Sequence, residues 1–139
     1  MDKYFADTDI IIDFLADREP HTVYSSRLFE LAERGKIEIW ISSLSINNIY
    51  YITRKISGNR KALDIINSLV EIVQIQNVGR EEIIEALNSD FKDFEDALQY
   101  FCSLKIEGIK ALLTRNTKDY KTAQLAVLTP KDLLKTGKL

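Results

Sequence analysis

Residues 3–15 read KYFADTDIIIDFL, a short strand followed by polar residues and an apolar helical stretch. The strand is predicted at Lys3–Ala6, and the apolar part of the helix at Ile10–Leu15. Asp7 comes directly after the strand. Strands that alternate with helices are typical of a parallel sheet covered by helices on both faces, so this segment predicts an α/β fold.

The rest of the sequence repeats this alternation. Apolar periodicity, capping residues and glycine stops predict four further strands and six further helices. The strands are predicted at residues 37–41, 72–75, 109–114 and 125–128. The helices are predicted at residues 25–35, from Ser43 or Ser45 to about 56, at 60–70, 79–87 and 93–104, and from Thr129 onward.

Length and composition favour one domain that folds alone. The 139 residues fit a single domain, taken as 1–139, and 45% hydrophobic residues suffice for a continuous core. No apolar run approaches the ~20 residues that cross a bilayer, and no signal-sequence pattern is present. Cys102 is the only cysteine, so an internal disulfide is excluded. We therefore expect a cytoplasmic protein without membrane association.

Charge is distributed unevenly along the chain. The formal charge is −2, but residues 105–139 hold eight Lys/Arg and three Asp/Glu, which leaves −7 for the preceding residues. A phosphate-binding face beside an acidic metal pocket produces this pattern. A solvated, lysine-rich C-terminal helix also produces it, and charge alone favours this simpler explanation.

Three acids fall where an open parallel sheet binds ligands, beyond the carboxyl ends of its strands: Asp7, Asp96 and Asp119. Gathering carboxylates in a partly buried pocket is costly unless a cation compensates. A single histidine and a single cysteine argue against a structural zinc site, whereas oxygen ligands select Mg²⁺ or Mn²⁺. Such an ion activates water and stabilises charge on a phosphoryl group, which indicates phosphodiester hydrolysis.

Each acid also has an ordinary structural interpretation. Asp7 can cap the helix that follows it, and Asp93 can cap the helix at 93–104 with Asp96 as its capping-box partner. Asp119 can be a solvated loop acid. Spacing alone leaves these alternatives open.

Three ordered motifs together resemble the PIN domain family, which includes the VapC-like toxin ribonucleases of type II toxin–antitoxin systems. The segments FADTDIIID (5–13), DFEDALQ (93–99) and TRNTKDY (114–120) are similar to the first, third and fourth motifs of that family. The segment TPKD (129–132) lies where the closing helix of the family begins. The resemblance covers nearly the whole chain.

The resemblance implies a three-layer α/β/α sandwich around a short parallel sheet. It makes Asp7 and Asp96 the central metal ligands and Asp119 a distal acid that acts directly or through water. Asn116 would be an auxiliary polar ligand or phosphate contact. The resemblance further implies Mg²⁺ or Mn²⁺ as cofactor, RNA as substrate, a homodimer and, for a toxin, an antitoxin that holds it inactive.

Two residues depart from the family pattern. The segment ISSLSINNIYY (41–51) resembles the second motif, in which a glutamate is expected at the position of Asn48. Asn48 stays a candidate catalytic residue because an amide oxygen can face a cation, but it brings no negative charge. Metal affinity is therefore expected to fall. Asp9 stands where many relatives have asparagine, as if a carboxylate had moved from the second motif to the first.

Three functional hypotheses follow. The first is a metal-dependent endoribonuclease in which Arg115, Lys118 and Lys121 contact the RNA backbone. The second is a catalytically degenerate PIN domain that binds RNA or a protein partner, because position 48 lacks the acid. The third is a haloacid-dehalogenase-type phosphatase, whose opening motif the segment Asp7–Asp9 also resembles; the apolar residues that follow rank it last.

Overall fold

A computed structural model describes residues 1–120 and 123–137 of the chain. Within these residues five parallel strands form a sheet, and β1 is its central strand. The strands are β1 (Lys3–Ala6), β2 (Glu38–Ser42), β3 (Gln74–Gln76), β4 (Ile109–Leu113) and β5 (Ala126–Leu128). Their order in the sheet is β3-β2-β1-β4-β5. The chain therefore extends the sheet on one side of β1 and then crosses to the other side.

Seven helices in the described part of the chain connect and cover these strands. They are α1 (Thr8–Leu15), α2 (Thr22–Glu33), α3 (Ser43–Ser57), α4 (Asn59–Ile72), α5 (Arg80–Leu87), α6 (Phe94–Ser103) and α7 (Pro130–Lys135). A short 3-10 helix at Thr117–Tyr120 follows β4. None of these helices combines the length and the apolar character that crossing a membrane requires.

Successive residues of the central strand enter two different cores. Tyr4 and Ala6 pack in one core with apolar residues of α1, α2, α3 and α4, whereas Phe5 packs in another with Tyr100 of α6 and Leu112 of β4. Neighbouring side chains of a strand point to opposite faces, so the two cores lie on opposite faces of the sheet. This arrangement confirms the predicted α/β fold, a parallel sheet between two layers of helices.

The start of α3 differs from the prediction by one residue. Its cap is Ser42, the last residue of β2, whose hydroxyl accepts a hydrogen bond from the Ser45 N–H at 3.1 Å. The prediction that Ser43 or Ser45 caps this helix was therefore wrong. Ser42 has the extended backbone that a capping residue needs, because the helix leaves the strand without an intervening loop.

The predicted strand at 72–75 was also placed too early. Residue Ile72 is the last residue of α4 and packs against the first core, and the edge strand β3 begins at Gln74. Apolar periodicity cannot separate the end of a helix from the start of a strand where Ile72, Val73 and Ile75 suit both.

Strand order reverses beside β1, because β2 and β4 leave it on opposite sides. The backbone N–H of Asp7 donates to the Leu113 carbonyl at 3.1 Å, and the N–H of Thr114 donates to the Leu128 carbonyl at 3.0 Å. The carboxyl ends of β1, β4 and β5 are thereby held together. In open α/β sheets this reversal is where ligands bind.

Candidate functional site

A polar cleft of about 240 Å³ lies at the carboxyl ends of β1 and β4. Three segments line it: the residues after β1, the first turns of α6 and the segment after β4. Its lining residues are Asp7, Thr8, Asp9, Asp93, Glu95, Asp96, Gln99, Asn116 and Asp119. The cleft thus brings together four of the five predicted catalytic residues, and the fifth, Asn48, does not line it.

Asp7 is the most buried acid of the cleft, with 7% of its surface exposed. It caps α1, because its Oδ1 accepts from the Ile10 N–H at 3.4 Å. The pKa of Asp7 is raised to about 7, mainly by burial; the charges of Asp9 and Asp96 contribute to the rise, and hydrogen bonds from Thr114 and Ile10 oppose it. Asp7 therefore has both roles that the sequence left open, a helix cap and an acid in the cleft.

Asp96 is half-buried in the first turn of α6. Its backbone N–H donates to Oδ1 of the capping residue Asp93 at 2.9 Å. The pKa of Asp96 is raised to about 6, first by burial and then by repulsion from Asp93, Asp119 and Glu95. The Tyr120 hydroxyl, which donates to Asp96 Oδ1 at 3.5 Å, opposes that shift.

Asp119 and Asn116 form the exposed side of the cleft. Asp119 lies on the 3-10 helix, and its charge helps to raise the pKa of Asp96 and of the buried Tyr120 hydroxyl. The N–H of Asn116 donates to the buried Thr114 hydroxyl at 3.1 Å. Thr114 therefore supports both Asp7 and the loop that carries Asn116, a role that sequence reasoning did not assign to it.

A buried polar network supports the inner wall of the cleft. The Gln99 amide nitrogen donates to the Thr8 hydroxyl at 3.2 Å and to the Ser45 hydroxyl at 3.1 Å. Gln99 is only 2% exposed, and no residue in the described part of the chain bonds to its Oε1. Sequence reasoning assigned no role to Gln99. Its spacing of three residues from Asp96 on a helix was the signal that the two side chains share a face.

Asn48 lies next to the cleft and contacts one of its acids. The Asn48 side-chain nitrogen donates to Glu95 Oε1 at 2.9 Å. Burial and repulsion by Asp93 and Asp9 raise the pKa of Glu95, and the bond from Asn48 lowers it. The amide that stands in place of the expected glutamate is therefore paired with a carboxylate from another helix.

The donor set fits a hard divalent cation, because all its strong ligands are carboxylate or amide oxygens. Burial and repulsion among the acids raise the pKa values of Asp7 and Asp96, so their ionised forms are disfavoured unless a cation binds beside them. Among residues 1–120 and 123–137, no group of three or more His, Cys, Asp or Glu is close enough to hold a metal ion on its own. Mg²⁺ commonly keeps several waters and binds through one or two carboxylates, and the cleft has room for such a hydrated ion.

The predicted RNA-contacting cations differ in environment. Arg115 Nε forms an ion pair at 2.7 Å with Oδ2 of Asp13, an acid of α1 that is fully buried. Arg115 therefore holds the loop after β4 against α1, and its contact with RNA stays a prediction. Lys118 is exposed on the 3-10 helix. Lys121 lies outside the described residues.

Comparison with solved structures finds the same fold in several bacterial proteins. The structure of VapBC-1 from nontypeable Haemophilus influenzae matches with a TM-score of 0.68 at 15% identity, over 93% of this chain and 98% of that chain. VapBC2 from Rickettsia felis, bound to a DNA fragment from its promoter, matches with a TM-score of 0.65 at 16% identity, over 91% and 96%. VapC20 from Mycobacterium tuberculosis, described as a toxin that cleaves the sarcin–ricin loop, matches with a TM-score of 0.60 at 17% identity, over 78% and 86%.

The sequence itself matches the PIN domain family over residues 3–118. This match spans most of the chain, which therefore belongs to the PIN domain family. No curated protein matches the sequence. Family membership confirms the resemblance seen in the motifs and sets aside the haloacid-dehalogenase alternative.

Proposed function

We propose that this protein is a metal-dependent endoribonuclease that hydrolyses RNA phosphodiester bonds with Mg²⁺ or Mn²⁺. The observation that carries the proposal is the gathering of Asp7, Asp96 and Asp119 from three distant segments into one cleft at the strand-order reversal. Two of these acids have pKa values of about 7 and about 6, so their ionised forms are held at a cost that a dication removes.

The proposed roles follow from the position of each side chain. Asp7 and Asp96 hold the cation, and the more exposed Asp119 acts on it from the outer side or through a water. Asn116, beside Asp119, contacts a phosphate oxygen of the substrate. A divalent cation at this place supplies Lewis acidity to the phosphoryl group and lowers the pKa of the attacking water.

The charge of the cleft supports a requirement for metal. Six of its lining residues are acids, which repel an RNA backbone unless a cation neutralises them. The exposed Lys118 lies one residue from Asp119, where it can hold a phosphate that flanks the cleaved bond. RNA affinity should then depend steeply on salt concentration.

We further propose that the protein is the toxin of a toxin–antitoxin pair. The similar structures from Rickettsia felis and Haemophilus influenzae are VapBC complexes, and the similar structure from Mycobacterium tuberculosis is described as a toxin that cleaves the sarcin–ricin loop. On this proposal the chain acts in the cytoplasm as a homodimer and is held inactive by an antitoxin protein.

The proposal is tested with purified protein, RNA and Mn²⁺. The wild type should cleave RNA, EDTA should stop the reaction, and Asp7→Asn and Asp96→Asn should each abolish it. Asp64→Asn is the matched control, because this acid lies on α4 in a surface ion pair with Arg60 and should leave cleavage unchanged. Cleavage that persists in EDTA, or in both cleft variants, would contradict the proposal.

A second candidate is a degenerate PIN domain that binds RNA or a protein partner without catalysis. Two observations favour it: position 48 holds an amide, and the described residues contain no group of three acids close enough to hold a metal unaided. Calorimetry separates the two candidates. Absent Mn²⁺ binding by the wild type that Asn48→Glu restores would favour the binding module.

A further inference from the structure

Position 48 keeps contact with a carboxylate although it does not carry one. Asn48 lies on α3, and its side-chain nitrogen donates at 2.9 Å to Oε1 of Glu95, 47 residues further along the chain on α6. A glutamate at position 48 would instead place two negative charges side by side. The asparagine and the glutamate are therefore compatible with each other in a way that two acids are not.

Glu95 belongs to the lining of the cleft, next to Asp96 in the first turn of α6. A carboxylate has about four lone-pair sites, so the single bond from Asn48 leaves most of its acceptor capacity available. The same bond restricts the glutamate side chain, whose rotamers would otherwise be free at the exposed rim.

A second feature of the cleft points to a ligand independently of its acids. Gln99 is 2% exposed and lines the cleft, its nitrogen is bonded to Thr8 and Ser45, and its Oε1 has no partner among the described residues. A buried carbonyl oxygen without a donor costs free energy, which a cation or one of its waters would recover. The cleft therefore offers an unsatisfied neutral oxygen beside its carboxylates.

We propose that Glu95 supplies to the bound cation the carboxylate that position 48 lacks, and that Asn48 is the residue that positions it. The inference rests on the proposed metal-dependent function. It assigns the two members of the pair opposite parts: the negative charge comes from α6, and the neutral donor that orients it comes from α3. The number of carboxylates around the cation is then the same as with a glutamate at 48.

The test is Mn²⁺ binding to the metal-free protein, measured by calorimetry. Glu95→Gln should weaken the affinity by about tenfold or more, and Asn48→Ala should weaken it less, because the carboxylate stays but is no longer held. The exchange variant Asn48→Glu with Glu95→Gln should recover most of the lost affinity. Glu71→Gln, at an exposed glutamate of α4 outside the cleft, is the charge-matched control and should bind as the wild type does.

The outcomes separate this inference from the function on which it rests. Mn²⁺ binding by the wild type together with an unchanged affinity in Glu95→Gln overturns the inference alone. No binding by the wild type overturns the proposed function and the inference with it. Circular dichroism on each variant identifies a loss of fold, and the exchange variant gives a gain that a merely structural role would not produce.

Discussion

Two aspartates six residues apart, Asp7 and Asp13, are buried in different ways. Asp13 has no exposed surface, and the Arg115 guanidinium lies 2.7 Å from its Oδ2. Asp7 is 7% exposed, and the charged groups that act on it are two further carboxylates, Asp9 and Asp96. Among the described residues, the protein supplies a cationic partner to Asp13 and none to Asp7.

The difference separates a structural charge from a functional one. The ion pair of Asp13 fixes α1 to the loop after β4, and a side chain of the protein balances its charge. The pKa of Asp7, raised by burial to about 7, shows the cost of an acid without such a partner. An unpaired buried carboxylate in a cleft is a candidate for function on physical grounds, whereas an equally buried paired one is not.

The largest effect is expected from breaking the paired site. Arg115→Met leaves Asp13 buried without a cation, which should lower the free energy of unfolding by about 4 kcal/mol. Urea denaturation measures this loss. The double variant Asp13→Leu with Arg115→Met should recover most of it, because it removes the buried charge as well. An equal loss in both variants would show that the pair is not the cause.

At Asp7, the buried acid without a cationic partner among the described residues, a substitution is expected to raise the free energy of unfolding. The folded pKa of Asp7, about 7, lies above its ordinary 3.8, so its stabilising contribution is complete below about pH 4 and is lost as the pH rises through 7. In EDTA at pH 8, Asp7→Asn should therefore raise the free energy of unfolding by about 4 kcal/mol. Asparagine caps helices as well as aspartate does, so α1 keeps its cap. The gain should disappear at pH 4, and destabilisation at pH 8 would contradict the comparison.

A smaller effect is expected when Mn²⁺ takes the place of the missing partner. At ten times its Kd, Mn²⁺ should raise the free energy of unfolding by about 1.4 kcal/mol. The gain measured at pH 8 should shrink at pH 5, because protons compete for Asp7 and Asp96, whose pKa values are about 7 and about 6. Thermal unfolding with and without metal checks this. An equal gain in the double variant Asp7→Asn with Asp96→Asn would place the binding elsewhere.

The smallest effect is expected at Tyr120, whose hydroxyl donates to Asp96 Oδ1 at 3.5 Å. Tyr120→Phe keeps the edge-on ring contact with Phe91 and removes a hydrogen bond worth about 1 kcal/mol or less. The pKa of Asp96 should rise further, so Mn²⁺ affinity at pH 6 should fall a little while affinity at pH 8 stays the same. Tyr100→Phe, whose hydroxyl accepts from the Gln124 N–H, is the matched control.

The position of the cleft was predictable from local sequence, because it depends on where strands end. Asp7 follows an apolar strand and Asp119 follows another, and both line the cleft at the carboxyl ends of those strands. The choice between a cap and a site residue was not predictable. The spacing of Asp7 from the helix predicts that it caps α1, and only the fold shows that the same residue also lines a cleft.

The supporting contacts were beyond local patterns because they join distant residues. Gln99 reaches Ser45 across 54 positions, and Asn48 reaches Glu95 across 47. Periodicity tells which residues of one helix share a face, but it does not tell which faces of two helices meet. The absence of an acid at position 48 was visible in the sequence, and the acid that contacts this position was not.

The backbone N–H of Ile10 in α1 and the proposed cation both bind the carboxylate of Asp7. The Ile10 N–H donates to Asp7 Oδ1 over a long 3.4 Å, and a dication attracted to this carboxylate competes with that donor for its lone pairs. Binding of a cation in the cleft should therefore weaken the hydrogen bond of the Ile10 backbone amide. Hydrogen–deuterium exchange at Ile10 would then report occupancy directly, in the absence of any substrate and before any bond is cut.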